Sequence, residues 1–150
     1  MSELQIVEDA AREVFTTTAG AVVTEAHHPI VPDKQFNGFV ATISLVGSRG
    51  GTLVVYCHRP IAVGMARTML GMEDEEPDED TVRDALGELV NQIGGTIKRK
   101  LGASGSEITL SVPLVVAGAP LSHCVKSSAE PISLELIIGE GRIAVCLWPA

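Results

Sequence analysis

Two side chains three residues apart, Glu88 and Asn91, are the pair in this chain best suited to chemistry. An ionised carboxylate only accepts hydrogen bonds, whereas a carboxamide offers one acceptor and two donors. The acid can pair with a cation, and the amide can hold a water molecule without adding charge. On a helix, a spacing of three sets the two Cβ atoms roughly 5 to 6 Å apart on one face, so both can enter one pocket. A Glu and an Asn are also ordinary on a solvated helix surface, and the pair alone does not decide between the two readings.

The element that must position them runs from about Glu79 to Leu101 and is expected to be closed by Gly102. At about 100° per residue counted from Val82, Ala85, Leu86, Leu89, Ile93 and Ile97 fall within roughly 60° of it and form a buried stripe. The opposite face centres near about 200°, with Asn91 at about 180°, Asp84 at about 200°, Gly95 at about 220° and Glu88 at about 240°. Lys98 is close by. Gly94 lies nearer the flank, but Gly95 sits on the open face, where core packing gives no reason for a glycine. Each glycine in a helix interior costs about 1 kcal/mol relative to alanine. A Cβ at Gly95 would obstruct another chain coming close beside Asn91, and that is the expected reason for it.

Around this helix the chain reads as alternating helices and hairpins. Leu4 to about Ala19 spaces Leu4, Val7, Ala10, Ala11, Val14 and Phe15 as an amphipathic helix does. A loop containing Pro29 and Pro32 follows. "FVATISLVG" (39–47) and "TLVVYC" (52–57) are β-branched runs joined by a glycine turn, an antiparallel hairpin. Pro60 opens a helix that stops at Gly71, and the acidic "EDEEPDED" (73–80) reads as a solvated loop that can tune a partner's approach. Beyond the long helix come a strand at "EITLSVPLVVAG" (107–118), a poorly patterned stretch to Ser128, and a second hairpin from "PISLELIIG" (131–139) and "RIAVCLW" (142–148) about "GEG". The stretches 45–60 and 137–149 share a strand, a glycine turn, a strand and a final proline. They fit either an internal duplication or ordinary hairpin grammar.

The bulk numbers bound the function. The chain has 150 residues, 45% of them hydrophobic and 20% charged, which suits one globular domain spanning 1–150. Its net charge of −8 argues against nucleic acid and against an anionic membrane surface. No apolar run reaches the roughly 18 residues of a membrane span, and the acidic N-terminus lacks the pattern of a signal peptide. Three cysteines without CxxC spacing fit a reduced, cytoplasmic protein. His27–His28, Cys57–His58 and His123–Cys124 lack the ligand spacing of a zinc site, so no metal is expected. No Walker loop, nucleophile elbow or dinucleotide fingerprint is present.

"DALGELVNQIGGTIKRKL" (84–101) resembles the signature helix of the CheC/CheX family of chemotaxis phosphatases: Glu-x-x-Asn followed by a small residue four positions later, matched by Glu88, Asn91 and Gly95. "LSVPLVVAG" (110–118) is similar to the family's strand with proline leading to glycine. CheC-like members carry the motif twice. Here the N-terminal helix offers only Glu13-Val-Phe-Thr16, without the amide, so the chain looks like the CheX branch. The resemblance implies an α/β protein of α+β layout, with a mostly antiparallel sheet packed by two to three helices, assembled as a homodimer. It further implies a phosphatase acting on the aspartyl phosphate of a CheY-like response-regulator receiver. The Mg²⁺ and lysine of that reaction come from the receiver, and no cofactor is the protein's own. Asn91 would orient the attacking water and Glu88 would pair with the receiver lysine. Asp84, Gly95 and Lys98 would complete the partner-binding face. The rival reading is a non-catalytic module binding a receiver or a switch-complex partner through the same helix face.

Overall fold

The structure, a computed structural model, describes residues 2–27, 35–103, 105, 107–122, 130–138 and 141–149. Helix α1 (Glu3–Thr17) begins where the Ser2 hydroxyl accepts from the Gln5 N–H, and it buries Ile6, Val7, Ala10, Ala11, Val14 and Phe15. Helix α2 (Arg59–Leu70) carries Pro60 in its first turn and ends at Gly71, whose φ of 64° is the left-handed conformation that glycine adopts without cost. Helix α3 (Glu79–Gly102) is the long helix the periodicity predicts. The Asp78 carboxylate accepts from the Thr81 N–H at 2.8 Å and caps it, and this bond holds the Asp78 carboxyl below its ordinary pKa. Glu79 and Asp80 lie at the positive end of the helix dipole, Arg99 and Lys100 at the negative end.

The predicted stripe is the buried one. Leu86, Leu89, Ile93 and Ile97 are essentially inaccessible, and burying four such side chains stabilises by about 6–12 kcal/mol. That outweighs the roughly 3 kcal/mol that Gly87, Gly94 and Gly95 cost in helix propensity. Gly102 does not close the helix as expected. It is still helical, and the next N–H, that of Ala103, returns to the Arg99 carbonyl at 3.2 Å, so no left-handed residue is needed.

Among the described residues seven strands form one antiparallel sheet: β1 (Val23–His27), β2 (Gln35–Gly47), β3 (Gly51–Cys57), β4 (Ile108–Leu110), β5 (Leu114–Ser122), β6 (Ile132–Ile138) and β7 (Gly141–Pro149). Their order is β1-β6-β7-β3-β2, with β4 and β5 both beside β2. The two expected hairpins are β2–β3 and β6–β7, joined through β3 and β7 at the centre. Strand β1 was not expected. Its pairing with β6, rather than any local pattern, defines it.

The single strand expected at 107–118 is broken. β4 pairs Leu110 with Leu45, and β5 pairs Leu114 with Thr42. Those registers differ by one residue, so Ser111–Pro113 hold one residue more than β2 does opposite them, the signature of a bulge. Ser111 stitches the break: its N–H donates to the Ser44 carbonyl at 3.0 Å, and the Ser44 N–H donates to its hydroxyl at 2.9 Å. A side chain replaces a main-chain acceptor there.

The three described helices pack on one face of the sheet, over Phe39, Ala41, Ile43, Leu45, Leu53, Val55, Leu134, Leu136, Ile143 and Val145. Gly94 lets α3 come close, because a Cβ there would stand 3.3 Å from Ile43 Cγ2. The opposite face carries a smaller cluster of Val40, Val54, Tyr56, Ala144 and Cys146 beside Trp148. No described helix is long and apolar enough to cross a membrane.

The strand order reads the same from either end when the halves are exchanged. β1 answers to β5, β6 to β2 and β7 to β3, with α1 preceding the first set and α3 the second. This favours duplication over hairpin grammar.

Candidate functional site

Glu88 and Asn91 stand on the outer face of α3, Glu88 exposed and Asn91 half-buried, with Leu89, Val90 and Ile93 anchoring the helix behind them. They overlook an open groove of about 860 Å³. Asp80, Arg83, Asp84, Gly87, Glu88 and Asn91 line its helix side, and Ser111, Val112, Pro113 and Val115 line its strand side. The break between β4 and β5 thus forms one wall of the site. Gly87 lies where the walls meet, and a Cβ there would make ordinary van der Waals contact with Val115 Cγ2 at 3.7 Å and Pro113 Cγ at 3.8 Å. Val112, 87% exposed, stands at the lip.

Among the described residues the Asn91 amide has no hydrogen-bond partner, and it lines the open groove. Glu88 accepts at Oε1 from Gln92 Nε2, 2.9 Å away. A neutral amide takes one lone pair of that carboxylate and leaves its charge and second oxygen available. The groove is acidic on balance, with Asp80, Asp84 and Glu88 against Arg83. Arg83 Nε is shielded from solvent without a partner among the described residues.

Of the expected partner-binding residues, Asp84 lines the groove, while Gly95 and Lys98 lie further along the same helix face and outside its lining. A Cβ on Gly95 would meet nothing within 4 Å, whereas Gly94 is a packing glycine. In α1, Glu13 is bound to Arg99 at 3.2 and 3.4 Å and Phe15 is fully buried, so α1 offers no counterpart pair. Gln92, Arg83 and Gly87 were not singled out in the sequence, and Ser111–Pro113 was quoted only within a strand, not as a wall of the site. Only Gln92 carried a signal, its i, i+4 spacing from Glu88.

Of the metal candidates, only Cys57 and His58 have their side chains among the described residues, and these two come apart. Cys57 is buried on the helix side of the sheet, and His58 precedes α2 with its Nδ1 3.1 Å from the Asn37 carbonyl. Among the described residues no group of His, Cys, Asp and Glu converges as a metal site would. His28, His123, Cys124 and the His27 side chain lie outside the described residues.

Solved structures share this architecture from end to end. CheX of Desulfovibrio desulfuricans superposes with a TM-score of 0.82 at 21% identity, covering 100% of both chains. CheX of Vibrio vulnificus gives 0.85 at 22%, covering 100% of this chain and 97% of the other. CheX in the CheX–CheY–BeF3–Mg²⁺ complex of Borrelia burgdorferi gives 0.83 at 20%, covering 99% and 97%. At these identities the likeness establishes the fold, that of the CheC/CheX proteins. No curated protein sequence matches the chain. The family described as Chemotaxis phosphatase CheX matches residues 39–136, a span that takes in most of β2, all of β3 and α3, and both walls of the groove. The chain belongs to the CheX family.

Proposed function

We propose that the protein accelerates hydrolysis of the aspartyl phosphate of a CheY-like receiver, with the groove beside α3 as the docking site. Glu88 and Asn91 standing side by side over a groove, the amide without a partner among the described residues, is the observation that carries this reading. The CheY in the B. burgdorferi complex supports the choice of partner. Asn91 holds a water in line with the phosphorus. The water oxygen bonds to phosphorus, the bond to the acyl oxygen breaks, and the receiver carboxylate leaves with inorganic phosphate as the other product. The receiver's own Mg²⁺ and lysine neutralise the phosphoryl oxygens, so what the amide contributes is position. Glu88 pairs with the receiver lysine and sets the register. Asp80 and Asp84 extend the negative potential that draws such a cationic surface in.

The test follows a CheY-like receiver phosphorylated by acetyl phosphate, with and without the protein. Asn91→Ala loses the acceleration, by about a hundredfold or more, and still binds the receiver. Glu88→Ala weakens both binding and turnover. Full acceleration by Asn91→Ala overturns the assignment, and a wild-type protein that binds without speeding phosphate loss is a binding module instead. The homodimer is part of the same proposal. Leu114 and Val116, 61% and 41% exposed on edge strand β5, are apolar surface that a second copy would cover.

A further inference from the structure

We propose that Gln92 is a positioning residue for Glu88, and that Thr18 at the end of α1 holds Gln92 to that task. The inference rests on the reading of Glu88 as the receiver contact. Gln92 sits one turn beyond Glu88, and its amide is used at both ends. Nε2 donates to Glu88 Oε1 at 2.9 Å, while Oε1 accepts from the Thr18 hydroxyl, 74 residues away in sequence. The donors run in one direction, hydroxyl to amide to carboxylate, so each bond polarises the next.

The base of this chain is fixed. Thr18 caps α1 with its N–H on the Val14 carbonyl at 2.9 Å, and the Ala21 N–H folds back onto the Phe15 carbonyl at 2.9 Å. An exposed glutamate otherwise samples several rotamers, and ordering it on binding weakens the complex. Gln92 meets that requirement in advance. As a neutral donor it orients the carboxylate without cancelling the charge meant for the lysine, which an Arg or Lys at the same place would do. The α1–α3 contact does not depend on Thr18, because Ala10, Val14 and Phe15 of α1 share one buried core with Leu89 and Ile93 of α3. Loss of the Thr18 hydroxyl therefore leaves the fold in place.

The experiment is a double-mutant cycle read as the Kd for a CheY-like receiver activated with beryllium fluoride and Mg²⁺, with melting temperature measured alongside. Gln92→Ala raises Kd roughly threefold to tenfold, and Thr18→Val, isosteric without the hydroxyl, raises it by less. Thr18→Ser restores the wild-type value. In a Glu88→Ala background neither Gln92→Ala nor Thr18→Val changes Kd further. Should Gln92→Ala lower the melting temperature, Gln92→Met keeps the side-chain length and takes its place. An equal rise in both backgrounds overturns the inference, because Gln92 would then touch the receiver itself or act only on the fold. No rise in the wild-type background overturns it too. If Glu88→Ala alone leaves Kd unchanged, the underlying reading of Glu88 fails instead.

Discussion

An alanine at position 95 would project its Cβ into open space, with no neighbouring atom within 4 Å. Gly95 lies well inside α3, in ordinary helical backbone. The substitution therefore removes a helix-interior glycine with no steric penalty in the free protein, a gain of about 0.8–1.0 kcal/mol. For a chain of this size that corresponds to a melting temperature higher by about 2–4 °C. If a receiver loop passes over Gly95, the same methyl meets it in the complex. Overpacking of that kind costs about 1–3 kcal/mol, roughly a fivefold to hundredfold rise in Kd. Stability and receiver affinity then move in opposite directions, which a merely damaged protein does not do. Thermal melts by circular dichroism and titration of a beryllium fluoride-activated receiver measure the two. A raised melting temperature with unchanged affinity would show that docking stops short of Gly95 and refute the reason given for this glycine. A melting temperature that does not rise would refute the reading of α3 as open at that point.

The neighbouring glycine should behave oppositely. Gly94→Val forces a branched side chain against Ile43 Cγ2 and Leu110 Cδ2, which a Cβ alone would approach to 3.3 and 3.5 Å, and should destabilise by about 1–3 kcal/mol in denaturant melts. Val112→Ser, at an 87% exposed position on the groove lip, should leave stability within about 0.5 kcal/mol. It should weaken receiver binding by roughly fivefold through lost apolar contact, and an unchanged Kd would remove the strand wall from the interface. Burial pushes the Cys57 and Cys146 thiols up to about 12 from an ordinary 9.0. In the folded protein both should resist iodoacetamide at pH 8 and react once unfolded, as peptide mapping would read. In the window between those values the unfolded state binds fewer protons. The contribution to stability is therefore intact below pH 9 and is lost as pH rises from 9 toward 12, so unfolding midpoints should fall there.

What the sequence disclosed followed the reach of each signal. The α3 stripe and the placing of Glu88 and Asn91 together on the outer face both follow from a 3.6-residue period. They repeat locally, and the structure keeps them. The β2–β3 hairpin was equally legible from β-branched runs about a glycine turn. The break at Ser111–Pro113 had a signal in Pro113, which cannot donate to a strand ladder, but the serine hydroxyl that stands in for a backbone carbonyl there leaves no trace in hydropathy. Strand β1 was hidden, since only its partner β6 makes Val23–His27 extended. For the site, one wall was readable and the other was not. Gln92 could be placed near Glu88 by spacing, but Thr18, whose hydroxyl reaches it from another helix, could not.

The exchange of outer strands between halves has a consequence for how the molecule can be taken apart. β1 belongs to the N-terminal half yet rests on β6, and β5 belongs to the C-terminal half yet rests on β2. The halves are knitted like clasped hands, each wearing the other's border. A cut in the acidic segment between α2 and α3 should yield two pieces that are each incomplete alone and that reassemble on mixing, a complementing pair carried in a single polypeptide.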